Sequence, residues 1–149
     1  MNWRLVYVRP EDGGVSVVIP SPNFAGGPGS LSARSVPAGV TALIVDSSEL
    51  PSRRFRNSWS VLGGKPVVDM AKARVQRMSE IRAERDKLLK ATDADKARLD
   101  DIGTQPQKQA LAAYRQALRD IPLTVEAAVD GAQTPEALEA LQPAWPVKP

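Results

Sequence analysis

Over the first 67 residues short apolar runs alternate with turn formers, and this pattern predicts strands. Leu5, Val6, Tyr7 and Val8 form one run within residues 2–9. Glu11-Asp12-Gly13-Gly14 follows; its two glycines supply the positive φ angles of a tight reversal. Val15 to Ile19 is β-branched, so the two runs predict a hairpin. Residues 21–35, rich in Gly, Pro and Ser, predict a flexible connector. Val36 to Val40 is a turn and Thr41 to Val45 a third strand, which Asp46 and Ser47 end through local side-chain-to-backbone hydrogen bonds. Residues 61–67, broken by Gly63-Gly64, predict a second small hairpin.

At Asp69 the period changes from two to that of a helix. Asp69 is a capping residue, and no Pro or Gly interrupts residues 70–91. Ala71, Val75, Met78, Ile81, Leu88 and Leu89 make a narrow stripe, interrupted by Arg82 and Arg85. Asp86–Lys90 and Glu84–Lys87 are expected to attract, and Glu80–Glu84 to repel. Thr92-Asp93-Ala94-Asp95 either interrupts this helix or restarts it, and Gly103 ends it. A second helix is expected over about residues 106–119, with Leu111, Tyr114 and Leu118 on one face and Pro122 as its stop. The short connection predicts antiparallel neighbours. Beyond it, Thr124 to Val129 predicts a turn of helix. Thr134-Pro135-Glu136 starts another short one, docked by Ala137, Leu138 and Leu141. Pro143 to Pro149 is extended. The expected class is α+β: a β-rich module over 1–67, a helical hairpin over 68–122, and a short helix with a Pro-rich tail over 123–149.

Composition narrows the chemistry. Aromatic residues make up only 5% of the chain, so its core rests on Ala, Val and Leu and is thin. A thin core predicts an extended shape or one completed by a partner. The chain has no Cys and no His, which excludes disulfides, thiolate nucleophiles, Cys/His zinc sites and histidine acid–base catalysis. The formal net charge of +3 lies wholly in residues 1–67 and is diffuse, which argues against a nucleic-acid binder. The start MNWRLVYVRP lacks the apolar core of a signal peptide, and no run is long enough to predict a membrane helix.

Few residue groups invite chemistry. Gly26-Gly27-Pro28-Gly29-Ser30 lacks the Gly-Lys-Ser/Thr ending of a phosphate loop. Asp93, Asp95, Asp100 and Asp101 cluster in sequence, as an acid–base pair or a magnesium site would require. They lack the glycine and terminal Glu of a calcium loop, and read as the solvated face of a helix connection. Arg53, Arg54 and Arg56 flank Phe55. Such a group serves as plain surface, as an arginine–aromatic protein contact, or less readily as a phosphate contact. Phe55 and Trp59 read as core anchors and Tyr114 as a residue of the helical seam. Arg115 and Arg119 are placed to face acids of the first helix. Trp145, flanked by prolines, either folds back onto the hairpin or inserts into another protein.

The segment Tyr114-Arg115-Gln116-Ala117-Leu118-Arg119-Asp120-Ile121-Pro122 resembles the signature of phage tail assembly chaperone proteins. Arg82, Arg85, Asp86, Leu88 and Leu89, then Asp93, and the ending Trp145, Pro146 and Pro149 are similar to the rest of that pattern. Ala94 and Ala112-Ala113 stand where the family commonly has Trp. Residues 37–59, with Phe55-Arg56-Asn57-Ser58-Trp59, and the helix start at Asp69 resemble related tail accessory proteins. The resemblance implies a non-enzymatic protein without cofactor or metal, whose partner is a phage tail-fibre or baseplate protein. It would act in the host cytoplasm, as a transient chaperone or as a component retained in the virion, and a homo-oligomer is compatible with either. The partner-binding residues so implied are Phe55, Trp59, Tyr114, Arg115, Leu118 and Trp145.

Overall fold

In the computed structural model, which describes residues 2–149, the first strand is the centre of a three-stranded antiparallel sheet. Strand β1 (Trp3–Val8) pairs with β2 (Val15–Val18) on one side and β3 (Leu43–Asp46) on the other. The register sets Leu5 opposite both Val18 and Ile44. A central strand has no free edge and is covered on both faces, so the adjacent residues Leu5 and Val6 are both buried. The β1–β2 reversal is closed by Arg9, whose guanidinium donates to both carboxylate oxygens of Asp12 at 2.8 and 2.9 Å. Gly13 supplies the positive φ. A separate hairpin joins β4 (Trp59–Leu62) to β5 (Lys65–Val68) through Gly63 and Gly64, both at positive φ, as a two-residue turn demands. Val6, Val15, Val45 and Trp59 form the core, with Val17, Leu43, Val61 and Val68 packed against it.

Residues 21–35 differ from their expected loop. Pro28–Ser35 form a helix, α1, with Leu31 buried. Proline at the first helical position lacks only an N–H that would have no partner there, so Pro28 starts the helix rather than preventing one.

Two compact units divide the chain, Met1–Ala73 and Arg74–Pro149. Helix α2 (Met70–Lys90) begins in the first, where the Asp69 carboxylate accepts from the Ala71 and Lys72 amides. In the second unit the rest of α2 is followed by α3 (Asp93–Ile102), α4 (Gln105–Gly131) and α5 (Pro135–Ala140). The first arm of the expected hairpin is therefore two helices, broken at Thr92. The class is α+β.

Arg74 donates to the Ala132 carbonyl, just beyond α4, while Arg115 of α4 donates to the Leu89 carbonyl near the end of α2. This pairing order makes α2 and α4 antiparallel. Glu84–Lys87 pair at 3.7 Å, but Asp86 pairs with its neighbour Arg85 at 2.7 Å instead of Lys90.

Helix α4 does not stop at Pro122. It runs nine residues further, with Pro122 itself buried. Proline leaves the Leu118 carbonyl without its helical donor, a cost of about 3 kcal/mol in a solvated helix. The apolar stripe decides otherwise: Leu111, Tyr114, Leu118, Ile121, Val125 and Val129 are all buried on one face. Each large aliphatic side chain gained by continuing contributes roughly 1.5–3 kcal/mol, enough to offset the broken bond. Thr134 caps α5 as expected, accepting from the Ala137 amide at 3.2 Å, and Leu138 is fully buried.

Candidate partner-binding surface

Three helices, α2, α3 and α4, and one extended segment meet around a short apolar seam. Leu99 of α3 and Leu111, Tyr114 and Leu118 of α4 form its buried part, with Leu88 and Leu89 of α2 along the margin. Trp145 lies against the same cluster and remains partly exposed. Of the two fates open to this Trp, it folds back. Its neighbour Lys148 holds the segment down through the Asp95 carboxylate of α3, Nζ to Oδ2 at 2.6 Å. That ammonium holds the Asp95 carboxyl below the ordinary carboxylate range. A shallow cleft of about 380 Å³ runs between Leu99, Leu111, Gln107 and the Lys148–Pro149 end.

Arg115 sits at the break between α2 and α3. Its Nη1 faces three oxygens: the Leu89 carbonyl at 2.9 Å, Thr92 Oγ1 at 2.6 Å and Asp93 Oδ1 at 2.8 Å. Thr92 is buried, and its hydroxyl donates in turn to the Leu89 carbonyl at 2.8 Å. One guanidinium thus neutralises the first acid of α3 and adds a donor to the Leu89 carbonyl, which also accepts from the Thr92 amide at 3.1 Å. Arg115 meets an acid as expected, on α3. Arg119 does not; it donates to Gln116 on its own helix.

The other predicted residues are placed differently. Phe55 and Trp59 lie in the first unit and are buried, as core anchors would be. Arg54 stacks on Phe55 at 4.8 Å and Arg56 on Trp59 at 4.3 Å. Tyr114 and Leu118 are interior residues of the helical seam. The exposed parts of the predicted set are therefore Trp145 and the edge of Arg115. Sequence reading missed Leu99 and Lys148, whose contacts join positions far apart in the chain.

The four clustered acids are not brought together. Asp93 faces Arg115, Asp95 faces Lys148 and Asp100 faces Lys96 at 2.6 Å. Among the described residues no three carboxylates gather closely enough to hold a metal ion, and no helix is long and apolar enough to cross a membrane.

The seam, the Arg115 junction and the folded-back Trp segment all lie in one stretch of sequence. Residues 78–149 match the model of the phage tail assembly chaperone protein family. This chaperone-family segment is a little under half of the chain and contains α3, α4, α5, most of α2 and the Pro-rich segment. The sheet unit lies outside it. No curated protein and no solved structure matches the chain.

Proposed function

We propose that this chain is a non-enzymatic accessory protein of phage tail assembly that binds a tail-fibre or baseplate protein in the host cytoplasm. The observation that carries the reading is the chaperone-family match over the helical unit. The seam gives it a physical form. Leu88, Leu89 and Trp145 pack against the same cluster as Leu99, and beyond the buried Pro143 the Trp145 segment is tied down by one exposed ion pair, which contributes little. An apolar client segment competes with Trp145 for the same leucines, and Arg115 at the seam's end supplies a charged rim. Buried Tyr114 and Leu118 shape the seam from below.

A second reading, a component retained in the virion, is favoured by the sheet unit, which adds surface beyond the matched segment. Mass spectrometry of purified particles separates the two: peptides of this chain in mature virions support retention, and their absence supports a transient chaperone.

The primary test is co-purification with the tail-fibre protein at low salt. The natural chain is expected to capture it, and Trp145→Ala to tighten capture by up to about 2 kcal/mol, the scale of a central aromatic contact, because the indole that competes for the leucines is gone. Absence of any fibre or baseplate protein in the eluate overturns the proposal.

A further inference from the structure

The first unit carries a cationic cleft that the tail-accessory reading does not use. It has a volume of about 510 Å³ and is lined by Arg9, Asp12, Arg56, Asn57, Trp59 and Lys72, with Gly14 and Val15 at its side. Three cations face one carboxylate, and that carboxylate is already taken. Asp12 accepts two bonds from Arg9 and one from the Gly14 amide at 2.9 Å. Among the described residues neither Arg56 nor Lys72 has a carboxylate partner. Arg56 lies over the Trp59 ring instead, and burial beside Arg9 and Arg53 lowers its pKa. A half-buried guanidinium crowded by like charge is an unfavourable arrangement unless an anion joins it.

We propose that this cleft binds a carboxylate side chain from an acidic segment of another protein. The planar fork of Arg56 suits bidentate carboxylate binding, and the Trp59 face holds that plane fixed. Lys72 adds a mobile point charge from the first turn of α2. Phosphate fits less well. Phosphate cradles rely on converging backbone amides, and the Gly14 amide here is committed to Asp12. The Asp12 carboxylate also repels a dianion more than a monoanion. The site lies outside the chaperone-family segment and stands whatever the helical seam binds.

The test is a titration of the ¹⁵N-labelled full chain with an acetylated, amidated Gly-Asp-Glu-Asp-Gly peptide, followed by NMR. Saturable shifts are expected at the Gly14 amide and at the Nε–H signals of Arg9 and Arg56. The Asn/Gln counterpart of the peptide should leave them in place. Arg56→Gln is expected to weaken binding about tenfold, the worth of one charge-assisted contact. Lys72→Gln, an exposed position whose loss does not touch the core, is expected to weaken it severalfold. Lys87→Gln, an exposed lysine of the helical unit that does not line the cleft, is the control. No shifts with the acidic peptide, or equal binding of the neutral one, overturns the proposal. So does inorganic phosphate binding as tightly at the same signals, which would give the cleft to phosphate.

Discussion

Arg115 shows how much a single side chain settles. Its Nη1 holds the end of α2, the buried Thr92 and the first acid of α3 against α4. Arg115→Ala removes the guanidinium donor of the Thr92 hydroxyl oxygen and of Asp93, and takes one of three donors from the Leu89 carbonyl, in a mostly buried place. Urea denaturation is expected to show a loss of about 2 kcal/mol, since hydrogen bonds from a charged group contribute more than neutral ones. A loss below about 0.5 kcal/mol would mean that water replaces the guanidinium at no cost. The sequence pointed to this residue by its charge and its helical position opposite acids. It did not reveal Thr92, because a threonine between two helices reads equally as a cap, a linker or a helix residue.

Elements with strong local signals match their sequence patterns closely. The β1–β2 hairpin is written in Asp12-Gly13-Gly14 and a β-branched run, and the β4–β5 hairpin in Gly63-Gly64. Errors arose where a local rule met long-range packing. Pro28 lay in an expected connector and Pro122 read as a helix stop, yet one opens α1 and the other lies inside α4. For Pro122 the deciding signal was present in Ile121, Val125 and Val129, which continue the period of Leu111 and Leu118 past the proline. Pro122→Ala restores an N–H to the Leu118 carbonyl and gives up some buried ring surface. The net expectation is a stabilisation of about 1 kcal/mol, read as a rise in thermal midpoint. A drop in that midpoint would mean that the ring's packing outweighs the broken bond.

Across the whole molecule, acid response follows from which groups titrate. With no His and no Cys, no side chain of ordinary pKa titrates between about pH 5 and 8. Helical and sheet signals in circular dichroism should be flat there. Below that range the carboxylates matter. Asp12 is drawn down to about 2 by the Arg9 guanidinium and the Gly14 amide. Asp46, Glu49, Asp95 and Asp100 are drawn down by Ser48, Lys65, Lys148 and Lys96 respectively. A carboxyl depressed in the folded chain stabilises it above its unfolded value, and that contribution vanishes as pH falls through the folded value. Stability is therefore expected to decline from about pH 4 towards pH 2, more gently in high salt because these groups are exposed. A transition centred near pH 6 would contradict this account. The candidate surfaces were only half legible at this scale. Tyr114, Leu118 and Arg115 share a helix and could be seen together, whereas the Asp95–Lys148 contact and the Arg9–Arg56–Lys72 cleft join residues that only the fold makes neighbours.

The folded-back indole has an optical consequence. Trp145 is the sole tryptophan in Arg74–Pro149, so the difference in emission between the natural chain and Trp145→Phe isolates light from one side chain. Against the leucines it should emit towards the blue and resist acrylamide. Lifted into water by a competing client it should shift red and quench freely. The chain thus carries its own gauge of whether the seam is covered.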